Sequence, residues 1–174
     1  MRTEQARPVR LQAYRPARWL IDTVDLEFSL HPSSTRVRAR LALRPDPAAP
    51  GPSPLRLDGD ELSLSSIAID GAALPADAYT ATPNSLTIAQ PPRGAFRLEI
   101  ETTIDPSANT QLMGLYRSSG TYCTQCEAEG FRRITYFFDR PDVMAVYTTR
   151  IEADRADVPV LLANGNLVET GNLP

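Results

Sequence analysis

Strict alternation of apolar and polar residues is the pattern that most constrains the fold of this chain. It runs through residues 24–30, 37–43 and 96–104. Side chains of a β-strand point to opposite faces of the sheet with a period of two. Each stretch therefore predicts a strand with one buried face and one solvated face.

Shorter strands and turn signals fill most of the remaining chain. Tight-turn dipeptides occur at Asp58-Gly59, Asp70-Gly71 and Asn164-Gly165, and the run PDPAAPGPSP at 45–54 predicts a long loop. Further strands are predicted at residues 55–58, 61–69, 85–89, 146–153 and 158–163, the last an edge strand because it contains Pro159. No stretch has the length and 3.6-residue period of a firm helix. The sequence predicts an all-β protein, an antiparallel β-sandwich or saddle-shaped pair of sheets.

The first two strands carry complementary charges. Asp25 and Glu27 lie on the polar face of the first, and the second has arginines at every other position, Arg36, Arg38 and Arg40. Opposite charges across two strands fix the register and contribute about 0.2–1 kcal/mol per pair. An independent, solvated arginine stripe is the alternative.

Charge and length exclude several function classes. A net charge of −3 over 174 residues provides no basic surface for nucleic acid or for an anionic membrane. No apolar run approaches the roughly 18 residues of a membrane span, and the first residues lack the apolar core of a signal peptide. We expect a leader at 1–18, one β domain at 19–174, and, with two cysteines, a reducing cytoplasmic location.

Common catalytic motifs are absent from the sequence. There is no phosphate-binding glycine loop and no G-x-S-x-G elbow, and His31 is the only histidine. Cys123-x-x-Cys126 has the spacing of half a zinc site or of a redox pair, but neither a second pair nor a βαβ pattern accompanies it. We therefore expect two reduced, partly buried cysteines and no metal site in this chain.

The segment around these cysteines is rich in hydrogen-bond acceptors. If it is extended, Gln125, Glu127 and Glu129 share one face, and Cys126 and Ala128 point the other way. Carboxylate and amide oxygens side by side can accept several N–H donors from one ammonium group. A solvated turn with no ligand is the alternative.

Longer motifs occur in the second half of the chain. They are Asn109-Thr110, Gly114-Leu115-Tyr116, Cys123-Thr124-Gln125-Cys126-Glu127-Ala128-Glu129-Gly130-Phe131-Arg132, Asp139-Arg140-Pro141-Asp142-Val143, and Leu161-Leu162-Ala163-Asn164-Gly165-Asn166. Together they resemble the N-terminal domain of bacterial aminopeptidase N, a zinc metallo-aminopeptidase of the gluzincin type. The likeness extends from about Tyr14 to the end.

The resemblance implies a saddle-like β domain that packs on a thermolysin-like catalytic domain and closes one side of its active site. It implies that Gln125 and Glu127 contact the substrate, with Glu127 binding the free α-amino group. Glu129 matches the family as well, and we assign it a supporting role.

The resemblance also implies chemistry that lies outside this chain. The H-E-x-x-H zinc motif and the G-A-M-E-N motif of the family are absent. We expect a fragment that ends before the last strands of its domain, inactive alone and without bound zinc. The full-length enzyme would hold zinc through ligands elsewhere and release N-terminal residues from peptides with a free N-terminus. The alternative is a freestanding β-sandwich binding module without peptidase activity.

Overall fold

Short β-strands make up most of the regular structure. The computed structural model describes residues 10–49, 51 and 53–173. Its strands are β1 (Trp19–Ser29), β2 (Thr35–Pro45), β3 (Leu55–Asp58), β4 (Ser63–Ile69), β5 (Ala72–Ala73), β6 (Tyr79–Thr82), β7 (Ser85–Ile88), β8 (Phe96–Ile104), β9 (Gly114–Ser118), β10 (Thr121–Gln125) and β11 (Val146–Glu152). Two single turns of 3₁₀-helix, Leu11–Ala13 and Phe131–Arg133, are the helices of the described residues. Neither is long and apolar enough to cross a membrane.

The strands form three sheets. The largest has the order β11-β1-β2-β8-β4-β5, a second has the order β3-β7-β6, and β9 and β10 form a separate hairpin. Apolar side chains of the first two sheets meet in one continuous core. The predicted all-β, sandwich-like fold is therefore confirmed.

Alternation in the sequence becomes alternation of burial. In β2 the residues Val37, Ala39 and Leu41 are fully buried, and the arginines between them face outward. Burying an aliphatic side chain of this size stabilises a fold by about 1.5–3 kcal/mol. The apolar faces that hold the two long central strands are therefore the ones that their sequences predicted.

The predicted charge pairing between β1 and β2 is also confirmed. Asp25 lies opposite Arg40 and Glu27 opposite Arg38 in the backbone register. The Glu27 carboxylate binds both arginines, with Nη1 of Arg40 at 2.7 Å and Nη1 of Arg38 at 3.5 Å. Arg38 continues the chain of charges to Glu101 on β8 at 3.0 Å.

Two details of the predicted fold are wrong. β11 pairs with β1 in parallel, so the large sheet is mixed and not purely antiparallel. Alternation does not reveal strand direction, and a parallel partner needs a long connection, here the chain between residues 30 and 145. The predicted strand at 158–163 does not form; Pro159 lacks an N–H donor, and Leu162 beside it is 86% exposed, so no sheet face holds the segment.

The expected leader at 1–18 is described only from residue 10, and its first nine residues lie outside the described part. β1 begins at Trp19. Before it, Tyr14 donates a hydrogen bond to Asp142 at 2.8 Å, and Arg140 donates one to the carbonyl of Arg15 at 2.9 Å. This segment therefore contacts the chain just after the candidate site.

Candidate functional site

A β-hairpin presents the acceptor-rich segment. β9 and β10 are joined by Ser119 and Gly120, whose φ angles of 48° and 87° suit a two-residue hairpin turn. Gln125 is the last residue of β10 and pairs with Gly114. This hairpin was not predicted from the sequence, although the Ser119-Gly120 dipeptide is a usable turn signal.

The chain turns immediately after Gln125. Residues 127–130 form a turn, and the Glu127–Ala128 peptide bond is cis. The expectation of an extended segment with three acceptors on one face is therefore wrong. The chain turns here because Gly130 packs closely against the carbonyl of Gln125. A Cβ added at Gly130 would lie 2.8 Å from that carbonyl oxygen.

Gln125 and Glu127 remain close together on the exposed side of this turn. The Gln125 side-chain nitrogen donates a hydrogen bond to the backbone carbonyl of Glu127 at 3.1 Å. Both residues are exposed, and the Glu127 carboxylate forms no hydrogen bond or ion pair with any other described residue. The structure thus places the exposed carboxylate of Glu127 and the exposed amide of Gln125 at the same turn.

Glu129 has a different environment. Its carboxylate accepts a hydrogen bond from Nη2 of Arg132 at 2.8 Å. Arg132 also donates from Nε to Asp139 at 2.7 Å, and Asp139 is buried. Glu129 therefore lies at the outer end of a charged cluster behind the turn.

A second cluster anchors the following 3₁₀ turn. Arg133 is buried, and its guanidinium binds Asp60 at 2.8 Å and also contacts the carboxylate of Glu61. Its Cβ lies against Gly114, where an added Cβ would be 2.6 Å away. The loop after β3 is thereby tied to the base of the hairpin.

The two cysteines are free and half-buried, with Cys123 on β10 and Cys126 at the start of the turn. Burial, together with the nearby Asp139 carboxylate as the smaller cause, raises the pKa of the Cys126 thiol to about 11. A protonated thiol is a poor metal ligand and a poor nucleophile. Cys126 therefore behaves as part of the packing.

No group of three or more His, Cys, Asp or Glu side chains with metal-binding geometry occurs among residues 10–49, 51 and 53–173. Zinc sites use three or four such ligands. The cluster of Glu129 and Asp139 is occupied by Arg132, which supplies the positive charge itself.

Asp139 and its arginine partner are the positioning residues that reasoning from residue types missed. Asp139 follows an aromatic run that includes the buried Phe137 and the partly buried Phe138. A carboxylate beside such a run is usually buried only when it is hydrogen-bonded or paired. The sequence therefore indicated that Asp139 could be buried. It did not indicate which N–H groups would bind its carboxylate, because these are brought to it by the folded turn.

Comparison with known proteins places these features in a family. Residues 53–174 match the model of the Peptidase M1 N-terminal domain. The chain is 53% identical to Aminopeptidase N of Caulobacter vibrioides over 99% of its length, and 43% identical to Aminopeptidase N of Escherichia coli over 98%. It spans about a fifth of the length of these relatives, covering 20% of the first and 19% of the second.

Solved structures agree with this assignment. Aminopeptidase A of Legionella pneumophila, in complex with aspartic acid, superposes with a TM-score of 0.88 at 35% identity, covering 95% of this chain and 20% of that one. An M1 zinc metallopeptidase of Deinococcus radiodurans, bound to a Tyr-Ser-Ala substrate, shares the fold, with a TM-score of 0.64 at 18% identity, covering 78% of this chain and 32% of that one. The chain belongs to the family of peptidase M1 N-terminal domains, as its cysteine–glutamate motif indicated.

Proposed function

We propose that this chain is the N-terminal part of a zinc-dependent aminopeptidase and that Gln125 and Glu127 bind the free α-amino group of the peptide substrate. The observation that carries the proposal is the exposed Glu127 carboxylate, which has no partner among the described residues although the turn beneath it is firmly anchored. Relatives that match nearly the whole chain are named Aminopeptidase N.

The chemistry of the turn suits an ammonium group. A protonated amine offers three N–H donors, and Glu127 supplies carboxylate oxygens as acceptors. The Gln125 nitrogen is occupied by the Glu127 carbonyl, so its side-chain oxygen remains available as a further acceptor. Charge-assisted bonds of this kind are about twice as strong as neutral ones.

This arrangement also explains selectivity for chain ends. When the cleft closes, water leaves and the carboxylate needs a positive partner, because an unpaired buried charge is costly. The N-terminus of a peptide supplies that charge, and an internal peptide bond does not. A carboxylate at this position therefore selects peptides by their free N-terminus.

Hydrolysis itself is assigned to the remainder of the polypeptide. The proposal places the zinc ligands outside this chain, on a catalytic domain of the same protein, where the metal would activate water. The 174-residue chain alone is expected to be inactive and to bind no zinc. A cytoplasmic location remains part of the proposal.

An exposed apolar surface supports contact with such a catalytic domain. Near and after β11 the residues Met144, Val146, Leu162, Leu167 and Val168 are each more than two-thirds exposed. Large exposed apolar residues concentrated in one segment are typical of an interface. We propose that this stretch is covered by the rest of the protein.

Substitution of Glu127 in the full-length protein tests the proposal. Glu127→Ala removes a buried charge-assisted contact to substrate, which costs about 2–5 kcal/mol. That corresponds to a loss of roughly 30-fold to several-thousand-fold in kcat/KM for an aminoacyl arylamide. Glu127→Gln should lose less, and Gln125→Ala should cost only about 0.5–1.5 kcal/mol. Zinc content should stay constant in all three variants.

Asp77→Ala is the matched control, since it removes an exposed carboxylate from the turn between β5 and β6. Its kcat/KM and melting temperature should equal those of the unsubstituted protein. Unchanged kinetics with a lowered melting temperature for Glu127→Ala would mean that the residue only stabilises its turn. Absence of any peptidase activity in the full-length protein would favour the freestanding binding module.

A further inference from the structure

Asp139 is a buried carboxylate behind the turn that carries Glu127. It is 5% exposed, and its Oδ2 atom accepts three hydrogen bonds. The donors are the backbone N–H of Gly130 at 2.8 Å, the backbone N–H of Arg132 at 3.2 Å and Nε of Arg132 at 2.7 Å. A buried charge is tolerated only with such partners, so this one oxygen fixes the end of the turn firmly.

Arg132 connects the buried Asp139 to the exposed part of the turn. Nη2 of Arg132 donates to the Asp139 carbonyl at 3.0 Å and to the Glu129 carboxylate at 2.8 Å. Two consecutive residues of the turn, Glu129 and Gly130, are therefore tied through one guanidinium and one carboxylate.

The other side of the turn is fixed by packing. Gly130 lies against Gln125 and Cys126, and an added Cβ would be 2.8 Å from the carbonyl oxygen of the first and 3.0 Å from Cα of the second. The backbone N–H of Gly130 can reach Asp139 only because the residue has no side chain in this contact. Glu127 lies between these two fixed points.

We propose that Asp139 is a positioning residue for substrate binding, which holds the turn at 126–130 so that the Glu127 carboxylate stands ready for the ammonium group. This inference rests on the proposed function of Glu127. A preorganised carboxylate loses less conformational freedom when substrate binds, and a displacement of about 1 Å can cost as much as 100-fold in rate. Asp139 does not contact the substrate; it acts through Gly130, Arg132 and Glu129.

A double-mutant cycle in the full-length protein separates positioning from general stabilisation. Asp139→Asn keeps the size of the side chain and replaces the charged acceptor with an amide. We expect Asp139→Asn alone to lower kcat/KM for an aminoacyl arylamide roughly 10- to 100-fold, mainly through KM. In a Glu127→Ala background the same change should alter kcat/KM by less than about 3-fold, because its effect passes through a carboxylate that is gone.

Two controls complete the design. Asp22→Asn disrupts a comparable pair on the surface, in which Nε of Arg44 binds both carboxylate oxygens at 3.1 and 2.9 Å, and it should leave kcat/KM unchanged. If Asp139→Asn does not fold, Arg132→Lys takes its place in the cycle, since lysine keeps the charge but lacks the planar guanidinium that donates from Nε to Asp139 and from Nη2 to Glu129.

The outcomes are distinguishable. An equal loss of kcat/KM from Asp139→Asn in both backgrounds, or no loss in either, would overturn the positioning role. If Glu127→Ala itself leaves kcat/KM unchanged, the proposed function of Glu127 fails first. A loss confined to the background that retains Glu127 supports the inference.

Discussion

Glu127 and Glu129 belong to the same turn, yet their carboxylates face different surroundings. Glu129 binds Arg132 at 2.8 Å, and that arginine is anchored by the buried Asp139. Glu127 contacts no cation among the described residues and is exposed. At the scale of single residues, the Glu129 carboxylate is part of the charged cluster behind the turn, whereas the exposed Glu127 carboxylate is the one that we propose binds a ligand.

Cys126 gives a test at the same scale that does not depend on any substrate. Burial raises its pKa from 9.0 to about 11, so the folded protein keeps the thiol proton to higher pH than the unfolded chain does. Its contribution to the free energy of unfolding should be constant below pH 9 and fall between pH 9 and 11, by about 1–3 kcal/mol in total.

Urea unfolding of the unsubstituted protein and of Cys126→Ala, each at pH 8 and pH 10.5, measures that contribution. The unsubstituted protein should lose more stability than the variant between the two pH values. An equal loss in both would show that the thiol is not buried as described.

At the scale of elements, the strands that alternate most strictly were predictable, and the hairpin was not. β2 and β8 bury every second residue, as their sequences indicate. β9 and β10 bury no such regular face, because they pair with each other as a separate hairpin and Gly114 of β9 packs against Arg133 of the 3₁₀ turn. The positions of Gln125 and Glu127 at the turn depend on contacts from Asp139 and Arg132. A local sequence pattern does not contain these contacts, so it could not predict the positions.

Glycines at three positions test how tightly the base of the hairpin is packed. Gly114 has φ of +70°, and an added Cβ would lie 2.6 Å from Cβ of Arg133. Gly114→Ala should cost about 1–2 kcal/mol for the left-handed backbone and about 1–3 kcal/mol for the clash. Gly120→Ala, with φ of +87° and open space around it, should cost only the backbone part.

Gly94→Ala is the control, because its added Cβ meets nothing within 4 Å and its φ is ordinary. It should change the free energy of unfolding by no more than about 0.5 kcal/mol. Chemical denaturation of the three variants measures the order of their free energies of unfolding. A Gly114→Ala protein as stable as Gly120→Ala would argue that Arg133 moves aside freely.

At the scale of the whole molecule, the described chain consists of a mixed sheet, a smaller sheet and a hairpin. Several of its exposed large apolar side chains lie near and after β11. The fold class followed from alternation and turn signals alone. The parallel pairing of β11 with β1 did not, since it joins strands separated by most of the chain. We propose that a further domain covers the exposed Leu162 and Val168, since the chain spans about a fifth of the length of its relatives.

The central claim is that Glu127 recognises the α-amino group, and competitive inhibition of the full-length protein tests it most directly. The inhibition constants of leucinamide and of its deaminated analogue, 4-methylpentanamide, are compared in the unsubstituted protein and in Glu127→Ala. The preference for the amine should fall by roughly 30-fold or more in the variant, as expected for loss of a contact of at least about 2 kcal/mol. The deaminated compound should bind the variant at least as tightly as the unsubstituted protein, because only the unsubstituted protein is left with an unpaired carboxylate. An unchanged preference for the amine in Glu127→Ala would contradict the account.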